Sequence, residues 1–320
     1  MTQTFSKIFS AKAHARLHVG FFDLCGGAES RFGSVGFALE SPVTEFEATL
    51  SDEFSIIGDI DVKSRENIAK SIQKLQKIFN LQTSLKLNIK QLIPTHAGLG
   101  SGTQLVLSLV ALFDAAYDLQ LSQSQIAQLS SRGIRSGIGL GAFFQGGFLV
   151  DSGRQGDALP EIVLRHDFPE AWRIILVSDA AHVGLHGEHE LSAFQTLKPM
   201  QNSLKSMVFD QVVPALECAD LLAFGAGIDD LQAYNGAYFA PIQGGKYASK
   251  KVKIALTWLK QNGVVCVGQS SWGPTGFAIV EDKSAAQLYL EQLKKQFAAN
   301  ADLSFAVTQG YNQGATIKAE

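Results

Sequence analysis

The sequence predicts an α+β chain of two packed units, residues 1–168 and 169–320, and three observations carry that prediction. A length of 320 residues is more than one compact core usually needs. The first half alternates strand-patterned and helix-patterned segments. The second half runs strand, helices, two strands joined across a loop, helix, strand, a ferredoxin-like order with an insertion.

Taken in order, Lys12–Val19 alternates as a strand, and Val35–Glu40 and Thr44–Leu50 read the same way. Ser64–Phe79 spaces Ile68, Ile72, Leu75 and Ile78 as one face of a helix. Ser84–Gln91 alternates through Leu85, Leu87 and Ile89, so it is a strand. Thr103–Tyr117 is apolar all round, which predicts a buried helix. In the second half, Trp172–Val177 reads as a strand and Glu188 to about Ala223 as a long helical region. A helix over Lys246–Gln261, strands over Val264–Val267 and Gly276–Val280, a helix over Ala285–Phe297 and a strand over Leu303–Thr308 complete the chain. The Phe168-Pro169 step is the expected boundary between the two units.

Bulk properties exclude several classes of function. A formal net charge of −3 offers no basic field for nucleic acid, so an anionic ligand must be held locally. Cys25, Cys218 and Cys266 are odd in number and far apart, which argues against a zinc site or a disulfide framework. Neither a signal peptide nor a run of about 18 apolar residues is evident, so a soluble cytoplasmic protein is expected.

The strongest local signal is Pro94-Thr95-His96-Ala97-Gly98-Leu99-Gly100-Ser101-Gly102-Thr103, set between a strand and a buried helix. Alternate glycines let a backbone approach a ligand closely. The helix start behind them presents unpaired amides and a positive dipole end to an anion. Ser101 and Thr103 add hydroxyls, and Gln104 follows them. The spacing is neither a Walker A loop nor a dinucleotide fingerprint. A purely steric glycine turn is the alternative.

The word P-x-x-x-G-L-G-S resembles the phosphate loop of the GHMP superfamily of small-molecule kinases. Ala13-His14-Ala15-Arg16-Leu17-His18 is similar to that superfamily's first-strand motif, which lines the substrate pocket. Val267-Gly268-Gln269-Ser270-Ser271-Trp272-Gly273-Pro274-Thr275-Gly276 falls where the superfamily keeps its later glycine loop. The resemblance implies a ribosomal-protein-like βαβ first domain followed by a ferredoxin-like second one.

One word departs from the kinases. Where many of them carry Ser-Gly-x-Asp, with the aspartate serving as base, this chain has Ser136-Gly137-Ile138-Gly139. Losing a general base costs ~10²–10⁴ in rate. The words around Arg135-Ser136-Gly137, Gly146–Asp151, Gly184–Glu188 and Gln269–Thr275 resemble β-ribofuranosylaminobenzene 5′-phosphate synthases instead. That resemblance implies a phosphoribosyltransferase of methanopterin biosynthesis. It would condense 5-phosphoribosyl 1-diphosphate with 4-aminobenzoate or 4-hydroxybenzoate, release pyrophosphate and CO₂, use Mg²⁺ and work as a homodimer. An ATP-dependent small-molecule kinase is the alternative.

Candidate residues follow. Arg16 and His18, two apart on a strand, are expected to face one pocket. His186 and Glu188 are an acid–base or metal-binding pair in a glycine turn, or else the start of a capped helix. Pro94, His96, Gly98, Leu99, Gly100, Ser101, Gly102, Thr103 and Gln104 form the phosphate loop, and Arg135, Ser136 and Gly137 stand beside it. Gln269, Ser270, Ser271, Trp272 and Gly273 form the second loop, where Trp272 can stack on the aromatic acid or simply pack. Asp23 is the candidate Mg²⁺ ligand, with a turn-forming aspartate as the alternative.

Overall fold

The structure is a computed structural model that describes residues 7–25, 32–133, 136–154, 156, 158–182 and 197–320. Among the described residues, eleven strands form two sheets. The first contains β1 (Phe9–Phe21), β2 (Ser34–Ser51), β3 (Ser55–Ile57), β4 (Ser84–Gln91), β5 (Phe148–Asp151), β6 (Ile162–His166) and β11 (Thr316–Ala319). The second is antiparallel, in the order β10 (Leu303–Thr308), β7 (Arg173–Asp179), β9 (Gly276–Val280), β8 (Cys266–Gln269). That order, with helices between β7 and β8 and between β9 and β10, is the ferredoxin-like arrangement expected from sequence.

β2 is the stem of the first sheet. One half pairs with β4 and the other with β5, while β1 runs along both. The two strands expected at Val35–Glu40 and Thr44–Leu50 are therefore one. They are joined through a cis Ser41-Pro42 bond, and the β1 register shifts between His14 and Arg16. Pro42 has no N–H to give the ladder, which is why the sequence reads as two strands there.

The second sheet is buried on both faces. Ile174 and Leu176 of β7 face a core shared with Leu17, Val19, Phe37 and Phe148 of the first sheet. Ile175 and Val177 face the other way, onto Val252, Leu256 and Leu259 of a covering helix. The two sheets thus share one core. Phe168 and Trp172, edge to face with ring centroids 5.6 Å apart, sit where the chain leaves one sheet for the other. β11 then returns to the first sheet and pairs with β1.

Helix boundaries follow their caps. Asp61 accepts from the Ser64 amide at 2.9 Å and starts the helix Val62–Phe79. Ile68, Ile72 and Leu75 are buried as expected, but Ile78 is 48% exposed, because the buried stripe continues from Leu75 to Phe79, four residues on, and leaves Ile78 to one side. The buried helix is Ser101–Tyr117, as its composition predicts. The long helical region expected from Glu188 to Ala223 is corrected over its described part. A helix from Lys205 through a π-turn ends at Glu217, and Asp220 caps a new helix, Leu221–Gln243. The helix expected from Lys246 begins at Lys250, where Ser249 accepts from the Val252 amide at 3.1 Å. Short elements over Gln123–Ser130, Ile138–Phe144, Phe148–Asp151, Ile162–His166 and Thr316–Ala319 escape the sequence reading altogether. No helix among the described residues is long and apolar enough to cross a membrane.

Candidate active site

β1 carries the site because its residues alternate. Ala15, Leu17 and Val19 enter the shared core, so Arg16 and His18 turn to the opposite face. On that face they meet both glycine loops, and the meeting point is a single carbonyl. Gly98 O accepts from Arg16 Nη1 at 2.6 Å and from Ser270 Oγ at 2.7 Å. Ser270 Oγ also accepts from the His18 amide at 3.1 Å, while the Ser271 amide donates to His18 O at 2.9 Å. The Arg16 amide donates to Leu99 O at 3.1 Å. Three words far apart in the sequence are thereby fastened into one structure.

The loops touch glycine on glycine. A Cβ on Gly98 would lie 2.6 Å from Ser270 O and 2.8 Å from Gly273 Cα. His96, Gly98 and Gly100 take left-handed φ values of 58°, 78° and 83°. That alternation turns loop amides toward one concave side and suits an anion. Gly100 is the N-cap of the helix Ser101–Tyr117 and has no side chain to satisfy the first amides.

In front of this loop lies a cleft of about 600 Å³. Arg16, Lys63, Lys70 and Arg132 bring four cationic side chains to its lining, with His96, Ser101 and Thr103 beside them. Its carboxylate, Asp61, is engaged in capping. This cationic lining suits a multiply charged anion, although the chain as a whole is slightly acidic.

His18 faces a second, smaller space of about 20 Å³ that shares Ser271 and Trp272 with the cleft. Its ring is 4% exposed, and burial, reinforced by the Arg16 charge, lowers its pKa to about 3. The imidazole is therefore neutral at physiological pH, and neither ring nitrogen has a hydrogen-bond partner. Trp272 packs on Phe239 with ring centroids 4.1 Å apart.

Other expected site residues are placed elsewhere. Ser136 Oγ and the Gly137 amide donate to Asp151 at 2.9 and 2.7 Å, so they hold a buried carboxylate and do not line the cleft. Asp151 also accepts from the Ser34 and Gly153 amides and the Ser34 hydroxyl; burial pushes its pKa up and these donors oppose the shift. Gln104 is fully buried and donates to Gly139 O at 2.9 Å. Leu99 is a core residue, and Pro94 lines a neighbouring surface hollow. Gln269 does line the small space beside His18, but its side-chain amide is spent on the Ala248 amide and Ser271 O. Arg135, His186 and Glu188 lie outside the described residues.

Asp23 is half-buried, accepts from the Cys25 amide at 3.2 Å and lines neither space. Among the described residues no three His, Cys, Asp or Glu side chains gather as a metal site.

At Gly139, where many kinases place their base, an added Cβ would lie 3.0 Å from Thr103 Cγ2. A side chain there would press on the phosphate-loop threonine, which would have to give by a few tenths of an ångström.

Sequence reasoning missed Lys63, Lys70 and Arg132. The signal was present for two of them: Lys63, Asn67 and Lys70 share a helix face opposite to Ile68, Ile72 and Leu75.

The comparisons agree with this architecture. The family descriptions "GHMP kinases N terminal domain" and "GHMP kinases C terminal" match residues 66–147 and 212–299. A protein of Methanocaldococcus jannaschii named beta-ribofuranosylphenol 5′-phosphate synthase is 32% identical, over 84% of this chain and 88% of its own length. One of the same name from Archaeoglobus fulgidus is 29% identical, over 95% of this chain and 97% of its own. The crystal structure of mevalonate diphosphate decarboxylase from Staphylococcus aureus has the same fold, with a TM-score of 0.67 at 18% identity over 99% of this chain and 100% of that one.

Proposed function

The chain belongs to the β-ribofuranosylphenol 5′-phosphate synthase family, and from that premise we propose that it is a phosphoribosyltransferase of methanopterin biosynthesis. It joins 5-phosphoribosyl 1-diphosphate to 4-hydroxybenzoate and releases pyrophosphate and CO₂. The relatives' name specifies a phenol product, which favours the hydroxy acid over 4-aminobenzoate as acceptor.

The observation that carries the reading is the cleft before Gly98–Thr103, with four cationic side chains on its lining and its carboxylate engaged elsewhere. The donor's diphosphate lies against the loop amides and Arg16. As the C1–O bond breaks, the electron pair leaves on pyrophosphate, and these fixed positive groups stabilise the growing charge. The ring carbon that bears the carboxylate forms the new bond to C1. The bond to CO₂ then breaks and returns its pair to the ring. Lys63, Lys70 and Arg132 hold the outer phosphate oxygens. If Mg²⁺ binds with the diphosphate, it would neutralise part of the leaving group's charge, and Arg16, Lys63, Lys70 and Arg132 would hold the remaining oxygens. The enzyme works as a homodimer, which light scattering on the purified protein tests.

The deciding experiment incubates the protein with Mg²⁺, 5-phosphoribosyl 1-diphosphate and carboxyl-labelled 4-hydroxybenzoate or 4-aminobenzoate. Equal amounts of labelled CO₂ and pyrophosphate are expected, faster with the hydroxy acid. No CO₂ from either acid, together with ATP consumption on small alcohols, would return the chain to the kinases.

A further inference from the structure

Among the described residues, the ring of His18 is a buried, unpartnered polar group that lines a cavity and that the mechanism above does not use. A buried polar group without a partner is disfavoured and rare in a native core. The space it faces, about 20 Å³, is the size of one water or one hydroxyl group.

The amides around that space are already committed. Gln232 donates to Val19 O and Gln269 O and accepts from the Gln269 amide. Asn235 is bonded to both backbone groups of Phe21 and to Leu231 O. What remains for a visitor, among the described residues, is the His18 ring and the Ser271 hydroxyl, with Lys246 bringing a positive charge at the exposed rim of the same cavity. The rest of the wall near His18 is aromatic: Phe21 at a ring-centroid distance of 4.6 Å, then Phe239 and Trp272.

The reaction fixes which end of the acceptor comes here. The carboxylate-bearing carbon must reach ribose C1 in the cleft, so the para substituent points to the far side of the ring. Ser271 and Trp272, which line both spaces, are the wall the acceptor spans. We propose that the His18 cavity is the subsite that reads the acceptor's para-hydroxyl group, with the aromatic ring alongside Trp272 and a ring nitrogen of His18 accepting the O–H hydrogen bond. The neutral state of His18 suits this role, since a neutral imidazole keeps one lone pair to accept with. An acid without the hydroxyl leaves the buried ring unpaired, and a site built for a hydroxyl rejects such an analogue strongly.

This inference rests on the synthase reading, and binding separates the two. Calorimetric titration of the full chain with 4-hydroxybenzoate and with benzoate, without donor, is expected to show about tenfold tighter binding of the hydroxy acid. His18→Phe brings the two within about twofold, and His18→Gln, which can still accept, restores most of the difference. Lys246→Met weakens 4-hydroxybenzoate by a smaller factor. Binding of 5-phosphoribosyl 1-diphosphate to His18→Phe at wild-type affinity shows that the variant is folded. Equal binding of both acids to the wild type, no binding of 4-hydroxybenzoate, or a tenfold preference kept in His18→Phe would each overturn the subsite. Labelled CO₂ released by a wild type without the preference would sink the subsite and leave the synthase; a preference without CO₂ release would do the reverse.

Discussion

The two glycine loops look alike in composition and do different work. Pro94–Thr103 opens a helix, so its amides and its left-handed residues are directed at the cleft. Ser270–Thr275 joins two strands, and much of its polar content is spent inside the protein. The Ser270 amide bonds Thr275 O, the Gly273 amide bonds Ser270 O, and the Ser270 and Ser271 groups bind β1 and the first loop. Glycine content marks close approach, and the element that follows the loop decides what approaches. The first loop faces the open cleft; the second braces it.

The comparison breaks most sharply at Gly98. Gly98→Ala puts a methyl group 2.6 Å from Ser270 O at a φ of 78°, so the loops must part. A loss of about 2–4 kcal/mol in denaturant unfolding and a drop in CO₂ release to background are expected. Gly102→Ala, whose added carbon meets nothing closer than 3.7 Å, should change stability by about 0.5 kcal/mol or less. If the two variants behave alike, the bracing contact is not what holds the loop.

Next comes Arg16, which touches the brace and the cleft together. Arg16→Met is expected to lower kcat/KM for 5-phosphoribosyl 1-diphosphate by about 10²-fold, mostly in kcat if the guanidinium stabilises the departing diphosphate. A change in KM alone would assign it to ground-state binding. Ser270→Ala removes the link between His18 N–H and Gly98 O and should cost about 1–2 kcal/mol, seen as a Tm lower by a few degrees.

A further effect is in pH. The folded pKa of His18, about 3, lies below its unfolded value of 6.5, so protonation favours the unfolded chain. The stability this group contributes is present above pH 6.5 and is lost as pH falls toward 3. Thermal melts at pH 7.5 and 5 should therefore differ less in His18→Gln than in the wild type. An unchanged difference would mean that the ring titrates normally.

What the sequence made legible follows from locality. Ser84–Gln91 and Leu303–Thr308 are foreseen end to end because one face is apolar and the other polar. The helix Leu221–Gln243 is not foreseen: it is apolar on most sides and carries Gly225, Gly227, Gly236 and Pro241, so no stripe stands out. Those glycines are what bring it close; a Cβ on Gly227 would lie 2.5 Å from Val212 Cγ2. In the site, Arg16, His18 and both loops are legible as words. Lys63, Lys70 and Arg132 become visible only once the fold shows which faces turn to the cleft. Ser136 and Gly137 show the reverse, a word that resembles a ligand site and serves to hold Asp151.

β11 has a consequence for the order of assembly. Thr316–Ala319 lies along β1, and Ile8 and Glu320 exchange amide bonds at 2.9 and 2.8 Å. On the ribosome, β1 is made first and its outer edge stays bare until residues 316–320 emerge. Through that interval the nascent chain carries an open strand edge, the kind of surface on which two unfinished chains can pair. β11 is thus a closing seam, and the interval before residues 316–319 are made is one in which this edge is exposed to aggregation.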